Sequence, residues 1–497
     1  MEPRGVLLAS LFLTAGIDIE NSSAVDRIDL FTEIALSGSE PPPDSLAVYD
    51  SALDVTGLAG MPEVVAVQIP RADGILTASV QLERMDRREG FGERDAWACI
   101  HGDPRGCEII PYPELPPELF SYTWIGQGGG YDLRLTIHRG NAVGVLSGPQ
   151  GRFGIEWKQV KELRADYFLI DDSIGDEGRA SDGPAQPATV ALVMSAPAVQ
   201  NATVARIEPQ TLGPSTPNST TQLDMLVLFT EEARRQAGGN PADCHDTNGV
   251  MAYIHQGIND VNSAFSRSQI PAQVGVTTVT KLNGYTLIPY NGDPANITQN
   301  RQNIQINNSI KAFRNAVGAD VVTVLFDTQA NLGVCGVAYV QRHGCTYPTP
   351  TAGCDVGPQF SEWTYYLNTV QCSAVVDAFT HELGHVLGGE HDIAHTSVPR
   401  NVASYAYAYG YGVPSNTYGF ETIMSQQLNP PQYPVRLLQF SSPSVTYNGL
   451  PTGDAALADN AHALANLLPG TASFRGRPSV IFANGFDVNN PCPGINY

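Results

Sequence analysis

Four side chains near position 385 have the types and spacing of a hydrolytic metal centre. His381 and His385 stand at i and i+4, so on an α-helix both imidazoles lie on one face and can bind one metal ion. Glu382 follows the first histidine, where its carboxylate can accept a proton from a water beside that metal. Gly388 can end the helix with a positive φ, which lets the chain turn and bring His391 to the metal as a third ligand. Three neutral imidazoles leave one tetrahedral position to water, the arrangement of a catalytic zinc site.

Two other interpretations of this segment are weaker. A cluster of core histidines does not explain why four of the ten histidines fall so close together, His395 being the fourth. His395 itself is not expected to bind the metal, because three imidazoles already complete the set. A structural metal site would fill its fourth position, usually with cysteine, and no cysteine pair here has CxxC spacing.

The elements that must position these residues follow from the apolar pattern. Apolar side chains at Val375, Ala378, Phe379 and Leu383 predict a buried helix that carries the first two histidines. Upstream, continuous apolar or alternating runs predict strands, and apolar residues at helical spacing predict helices between them. Strands separated by helices indicate an α/β layer with a mixed sheet. The predicted strands are 223–229, 273–279, 320–326 and 334–340, and the predicted helices are 252–268 and 304–317.

The first part of the chain has a different character. Short alternating segments with glycine turns predict a β-rich, acidic domain over 17–208, and the Pro/Ser/Thr/Asn-rich stretch 209–222 predicts a linker with a processing site. The apolar run 6–15 predicts a signal peptide over 1–16, and a buried element of the first domain is the alternative.

Composition restricts the partners and the location of the protein. A net charge of -22 over 497 residues repels phosphate, so we expect no nucleic-acid partner. No apolar stretch is long enough for a membrane span. We expect a monomer that is secreted to the extracellular space, by a bacterial route through the periplasm.

The zinc segment carries a family resemblance. HELGHVLGGEHD resembles the metzincin metalloprotease signature, and Asp392 after it is similar to the reprolysin (adamalysin-like) branch. Metzincins also carry a Met-turn, and Thr422-Ile423-Met424-Ser425 is similar to it. Over 223–475 the chain resembles the secreted bacterial peptidyl-Asp metallopeptidases.

The resemblance implies an α/β (α+β) metzincin-like catalytic domain over 223–476, with a mixed twisted sheet and a zinc-binding active-site helix. It implies that His381, His385 and His391 bind one catalytic Zn²⁺ and that Glu382 is the general base. Met424 would form a hydrophobic floor under the metal without binding it. Nothing in the sequence indicates structural Ca²⁺.

The resemblance also implies where a peptide substrate binds. Gly336, Val337 and Ala338 would belong to an edge strand that binds the substrate backbone by strand addition. Arg436 follows the Met-turn, where metzincins build the S1′ wall, and it can pair with an acidic substrate side chain. The alternative is that Arg436 is a structural surface ion.

Two positions depart from related patterns. Astacin and serralysin relatives place a tyrosine two residues after the Met, whereas this chain has Gln426 there, which argues against those branches. The bacterial relatives read Arg-Thr-Ile-Met, whereas this chain has Glu421 in place of the arginine. If that arginine helps to select acidic side chains, a preference for Asp is in doubt.

The family layout implies that 17–208 is a propeptide that assists folding and inhibits the enzyme until it is cleaved. No function is assigned to the tail 477–497. Cys99 and Cys107 flank a turn and predict a local disulfide; a thiolate from one of them capping the zinc is the alternative. The six remaining cysteines predict disulfides that tie the segment between the edge strand and the active helix, with open connectivity: Cys244, Cys335, Cys345, Cys354, Cys372 and Cys492.

The sequence therefore predicts a zinc-dependent endopeptidase made as a zymogen, which hydrolyses peptide bonds with a zinc-activated water and Glu382 as base. Its partners would be protein or peptide substrates and its own propeptide. One alternative is a non-catalytic, zinc-containing binding module built on a metzincin domain, but that hypothesis predicts a damaged motif and the motif is intact. Another is a zinc hydrolase of a different bond type, which the predicted edge strand disfavours.

Overall fold

The fold was determined as a computed structural model, and it is described here for the following residues only: 27–36, 47–54, 57–58, 60, 62–71, 74–87, 95–99, 107–111, 121–139, 141–148, 151–157, 165–170, 220–243, 246–282, 287–288, 294–327, 335–342, 358–375, 377–396, 398–413, 419–425 and 435–476.

The N-terminal region is built from strands, as the sequence predicts. Ten strands form one sheet in the order β1-β4-β5-β8-β9-β10-β11-β12-β3-β2, and β6 and β7 form a separate hairpin. Every neighbouring pair in the large sheet is antiparallel except β1 and β4. The strands are β1 (Arg27–Asp29), β2 (Phe31–Leu36), β3 (Ala47–Leu53), β4 (Val64–Arg71), β5 (Gly74–Arg87), β6 (Asp95–Cys99), β7 (Cys107–Pro111), β8 (Ser121–Gly128), β9 (Tyr131–His138), β10 (Asn141–Gly148), β11 (Gly151–Trp157) and β12 (Ala165–Ile170).

The second region alternates strands and helices. Its strands are β13 (Thr221–Phe229), β14 (Ala272–Lys281), β15 (Val321–Phe326), β16 (Gly336–Ala338), β17 (Tyr365–Thr369), β18 (Gly412–Val413), β19 (Phe420–Glu421), β20 (Val435–Arg436), β21 (Ser442–Tyr447) and β22 (Leu450–Thr452). Its helices are α1 (Glu231–Gln236), α2 (Asn248–Arg267), α3 (Pro294–Ile306), α4 (Asn308–Val317), a 3₁₀ helix (Pro358–Glu362), α5 (Val370–Val375), α6 (Ala378–Val386) and α7 (Asn460–Thr471).

The main sheet of this region is mixed, as the sequence predicts. Its order is β14-β13-β15-β17-β16, and all pairs are parallel except β16 with β17. The continuous apolar runs of β13 and β15 are buried along their length, which is the pattern of parallel strands covered on both faces. β16 ends the order, so the expectation of an edge strand is confirmed.

One helix prediction is wrong. The apolar spacing over 304–317 predicts a single helix, whereas the structure ends α3 at Ile306 and begins α4 at Asn308. Asn307 between them has an extended ψ of 115°, and its side chain accepts hydrogen bonds from the amides of Ser309 and Ile310. Asparagine satisfies amides at a helix start better than it tolerates a helix interior, so it divides the segment.

Helix α2 lies between the two regions and is buried along almost its whole length. Its apolar residues, Ile254, Ile258, Val261 and Phe265, belong to the core of the second region. Its polar residues face the N-terminal sheet, where β8, β9 and β10 pack against it. The helix therefore contributes its apolar side chains to the core of the second region, which Val143 of β10 also joins, and it contacts the sheet largely through polar groups.

Several predictions fall outside the described residues: the signal peptide 1–16, most of the linker 209–222, the tail 477–497, Gln426, and Cys244, Cys345, Cys354 and Cys492. β13 already begins at Thr221, within the predicted linker. The register of the β6–β7 hairpin places Cys99 opposite Cys107, but their side chains are also outside the description. Among the described helices, none has both the length and the apolar character needed to cross a membrane.

Candidate metal and catalytic site

Helix α6 carries the first three residues of the candidate site. Phe379 and Leu383 on this helix are fully buried in the core, which fixes the opposite face toward the site. The helix ends as the sequence predicts: Gly388 has a φ of +89°, and the amide of Gly389 donates to the carbonyl of Gly384 at 2.8 Å. A residue with a Cβ resists that left-handed conformation, so glycine is required at this turn.

The turn brings three imidazoles together. The Nε2 atom of His391 lies 3.1 Å from Nε2 of His381 and 3.1 Å from Nε2 of His385. All three side chains are buried. A tetrahedral zinc ion with Zn–N bonds of about 2.0–2.1 Å separates its nitrogen ligands by about 3.3 Å, so this cluster fits zinc.

Backbone carbonyls set the orientation of two of these rings. Nδ1 of His381 lies 2.8 Å from the carbonyl oxygen of Ile423, and Nδ1 of His385 lies 2.8 Å from the carbonyl oxygen of Gly389. A carbonyl only accepts, so each Nδ1 carries the proton and each Nε2 keeps a lone pair in the neutral ring. The tautomer that binds a metal through Nε2 is therefore built into the fold.

Glu382 is buried beside the histidines and packs against the edge strand. A Cβ placed on Gly336 would come 2.5 Å from its Oε1 atom, so the backbone of β16 passes directly over the carboxylate. Only glycine permits this approach. The predicted general base and the predicted substrate-binding strand are thus in contact.

Met424 is fully buried under the same helix. A Cβ on Gly384, between the two helical histidines, would lie 2.5 Å from the Met424 sulfur. The thioether therefore packs against the helix backbone, and the preceding residue, Ile423, supplies the carbonyl that orients His381. The segment predicted as a Met-turn therefore contacts helix α6 at Gly384 and at the His381 ring.

The edge strand is tied to the active-site region by a disulfide. Cys335, directly before β16, is bonded to Cys372 in α5. Val337 and Ala338, like Gly336, are buried in the strand. The bond closes the segment between the edge strand and the active-site helix, which agrees with the prediction. The assignment of Gly336, Val337 and Ala338 to substrate binding stays a prediction.

Arg436 has internal partners. Its guanidinium donates to Glu421 at 3.0 Å and to the Ile423 carbonyl at 2.8 Å, and its Nε lies 3.4 Å from Asp377. Glu421 stands where the bacterial relatives have arginine, and here it pairs with Arg436. A role for Arg436 in substrate binding stays a prediction. Its hydrogen bond to the Ile423 carbonyl places it on the same oxygen that orients the His381 ring.

Sequence reasoning missed an ion pair behind the third histidine. Arg342 and Glu390 form a buried two-bond ion pair, and Glu390 directly precedes His391. On the other side, Asp392 accepts from Ser425 Oγ at 3.2 Å and lies 2.8 Å from Nδ1 of His395. The signal that could have indicated Arg342 is weak, because nothing local relates it to position 390.

Sequence reasoning also missed a buried ionic cluster at the start of α6. It comprises Arg134, Arg152, Asp260, Asp377, Glu421 and Arg436. Asp377 precedes α6 with a φ of 59° and makes no side-chain capping bond to the helix. Its carboxylate instead lies 2.7 Å from Arg134 and 3.1 Å from Arg152.

The two aspartates of this cluster have opposite pKa shifts. Burial alone would raise the pKa of Asp377, but Arg134, Arg152 and Arg436 outweigh it and hold that pKa below its ordinary range. Asp260 has Arg134 at 2.8 Å. Burial, reinforced by the charge of Asp377, raises the pKa of Asp260 to about 7 despite Arg134.

Comparison with known proteins gives a family match over the second region. Residues 219–441 match the Reprolysin_5 model of metallo-peptidase family M12. The chain is 29% identical over 257 residues to a peptidyl-Asp metalloendopeptidase of Stenotrophomonas maltophilia, covering 50% of this chain and 52% of that protein. It is 27% identical over 256 residues to the protein of the same name from Xanthomonas campestris pv. campestris, covering 50% and 51%. The chain spans about half the length of the curated relatives it matches.

Among solved structures, the crystal structure of metalloproteinase-II from Bacteroides fragilis matches with a TM-score of 0.35 and 12% identity, over 67% of this chain and 85% of that chain. A likeness at that level supports no argument.

Proposed function

We propose, since residues 219–441 form a reprolysin-like domain of metallopeptidase family M12, that this chain is a secreted zinc-dependent endopeptidase made as a zymogen. The observation that carries the proposal is the convergence of three buried imidazoles beside the buried carboxylate of Glu382, with Nε2 of His391 lying 3.1 Å from Nε2 of each of the other two. The intact cluster argues against a binding module, whose function would not need a base at that position.

His381, His385 and His391 are the residues that would hold the metal. Zinc, when bound, supplies a Lewis acid that polarises a carbonyl and lowers the pKa of water to about 7. The carbonyls of Ile423 and Gly389 orient the rings of His381 and His385 so that their Nε2 atoms can bind the metal.

Glu382 moves the proton. Its carboxylate, held between α6 and β16, accepts a proton from the attacking water and returns it to the leaving amide nitrogen. Because the backbone at Gly336 restricts the carboxylate on one side, its position is fixed before substrate binds. A general base of this kind contributes about 10²–10⁴-fold to the rate.

β16 supplies the substrate-binding edge. It pairs with β17 on one side and is the last strand of the sheet among the described residues, so an extended peptide can add there as a further strand through backbone hydrogen bonds. The strand also touches Glu382 through Gly336, so strand addition delivers a peptide bond beside the base.

Export and zymogen activation are further parts of the proposal. A disulfide between Cys335 and Cys372 suits an oxidising compartment, and the apolar run 6–15 suits a signal peptide. The folded β-sheet region ahead of the M12 domain suits a propeptide. The Asp preference stated in the relatives' names is not included, because Arg436 is already bound by Glu421 and Asp377.

The test is peptide cleavage by the processed protein on a mixed peptide library, read by mass spectrometry. We expect cleavage that stops with a chelator, returns with zinc, and falls at least about 10²-fold in Glu382→Gln while bound zinc is unchanged. Glu362→Gln, at a 51% exposed glutamate, is the matched control and should cleave normally. Absence of cleavage by the zinc-loaded, processed protein would contradict the proposal and favour a binding module.

A further inference from the structure

A path of contacts joins the N-terminal sheet to the first zinc ligand. We propose that Arg134 and Arg152, on β9 and β11 of that sheet, are positioning residues for His381 and act through Asp377. The sheet is then a structural partner of the metal site that stays bound when the chain between the two regions is cut, so activation by cutting does not require its release. This rests on the proposed function only in taking zinc as the metal.

The first step of the path is short. Both arginines bind the Asp377 carboxylate, at 2.7 and 3.1 Å, and all three side chains are at most 2% exposed. The backbone carbonyl of Asp377 accepts the amide of His381 at 2.9 Å, in the first turn of α6. Holding the Asp377 side chain therefore holds the residue that starts the zinc helix, in a left-handed conformation that is strained for an aspartate.

The second step runs through the Met-turn. Arg436 lies 3.4 Å from the same Asp377 carboxylate and donates to the carbonyl of Ile423 at 2.8 Å. That carbonyl also lies 2.8 Å from Nδ1 of His381. Asp377 is thus linked to His381 in two ways. Its own carbonyl accepts the His381 amide, and its carboxylate lies beside Arg436, which binds the Ile423 carbonyl that orients the His381 ring.

Charge balance explains why the arginines must come from the sheet. The cluster has three cations and three carboxylates. Without the sheet, Asp377 would lose two of its three cations, and Arg436 alone would face both Asp377 and Glu421. Removing one partner of a buried ion pair is strongly destabilising, because the remaining charge is left uncompensated.

The rest of the contact is also polar and specific. On α2, the Gln256 side chain accepts from Thr136 at 2.7 Å, and Asn259 donates to Thr123 at 2.6 Å. At the end of α2, Arg267 pairs with Asp132 at 2.7 Å. Hydrogen bonds and ion pairs spread along a whole helix hold the sheet without the covalent connection.

The first experiment cuts the chain. A specific protease site is inserted within 209–219 of the full-length protein, and the cleaved product is run on size exclusion in moderate salt. We expect the two pieces to co-elute, with the zinc affinity of the complex, measured by chelator competition, within about threefold of the uncut protein. Separation of the pieces with zinc affinity unchanged would overturn the proposal.

The second experiment removes the arginines singly. Arg134→Met and Arg152→Met should weaken zinc binding at least about tenfold and speed hydrogen exchange of the α6 amides at least about tenfold. Arg134→Lys, which keeps the charge, should recover most of both. Arg235→Met, at a 57% exposed arginine on α1, is the matched control and should behave as wild type.

A third variant keeps the test decisive if Arg134→Met fails to fold. Arg152→Met with Asp377→Asn should weaken zinc binding no more than Asp377→Asn alone, because both substitutions act on one carboxylate. Wild-type zinc affinity in both single arginine variants, or losses that simply add in Arg152→Met with Asp377→Asn, would overturn the proposal. Because zinc affinity and exchange are the readouts, failure to cleave peptides with normal zinc binding would count against the proposed function alone.

Discussion

Gly336 and Glu382 are in direct contact: a Cβ on the glycine would lie 2.5 Å from the glutamate Oε1 and 2.6 Å from its Cγ. The glycine therefore makes room for the carboxylate of the proposed base, Glu382, beside the strand. A strand that binds a peptide through backbone groups places no demand on its own side chain, so the absence of a Cβ is explained by the carboxylate beneath it.

Gly336→Ala should lower kcat by about 10²-fold, because the added methyl group displaces the carboxylate by the order of 1 Å. Zinc content should not change, since the three imidazoles are untouched. The measurement is steady-state peptide cleavage with metal analysis. Gly470→Ala is the control, because a Cβ there meets nothing within 4 Å; equal kcat in both variants would show that Glu382 can move freely.

Gly388→Ala should reduce the free energy of unfolding by about 2–4 kcal/mol. The residue has a φ of +89°, and a Cβ would lie 2.6 Å from Leu467 and 2.9 Å from Ser404, so strain and overpacking add. Gly449→Ala, with a φ of +80° and nothing within 4 Å, carries the strain alone and should cost about 1–2 kcal/mol. Urea unfolding of both variants gives the difference, and equal losses would contradict the packing argument.

The stability should fall in mild acid through His138. Burial, with repulsion from His255 and Arg139, lowers the pKa of His138 well below 6.5. The ring stacks on His255 at 4.9 Å and lies 2.8 Å from Ser121 Oγ. Below about pH 6.5 the unfolded chain binds a proton at His138 that the native chain does not. The stabilisation from burying the neutral His138 ring is therefore fully present above that pH and is lost as pH falls.

The measurement is the pH dependence of urea unfolding for wild type and His138→Gln. Below pH 6.5 the free energy of unfolding should fall more steeply in wild type than in His138→Gln, by up to about 1.4 kcal/mol per pH unit for one proton. Asp260 acts in the opposite sense: with its pKa raised to about 7, its contribution falls as pH rises from 3.8 to 7. Both wild type and His138→Gln keep Asp260, so its effect cancels when their free energies of unfolding are subtracted. Identical pH slopes in the two proteins would refute the prediction for His138.

Removing the disulfide should destabilise the protein without unfolding it. The bond closes a segment with a sequence separation of 37, for which the chain-entropy model gives about 3–4 kcal/mol. Cys335→Ser with Cys372→Ser should lose that amount in urea unfolding under oxidising conditions. Under reducing conditions the wild type and the double variant should converge, and a difference that persists would point to a packing effect of the substitutions.

The strands and the zinc helix were predictable because their information is local. β13 and β15 are apolar runs, and the motif places three histidines at fixed spacing. β17 was missed, although it lies between β15 and β16, because Asn368 and Thr369 interrupt its apolar pattern while being buried in the strand. Burial of polar residues in a central strand depends on partners elsewhere, such as Thr323 for Asn368.

The supports of the site could not be predicted, because each joins distant positions. Arg134 and Asp377 are 243 positions apart, and Arg342 and Glu390 are 48 apart. No local periodicity relates such pairs. A single arginine in a strand, such as Arg134, looks solvent-exposed until the fold shows two carboxylates opposite it.

The ionic cluster also orders events during synthesis. Its members arrive from the ribosome in turn: Arg134 and Arg152 first, Asp377 later and Arg436 last. Domains generally fold as units with the N-terminal one first, so we expect the sheet to form before helix α6 docks on it, and contacts of such long range are slow to form. We therefore expect the candidate metal site to be completed only once Arg436 has been made, so a chain that stops short of that residue carries no finished site.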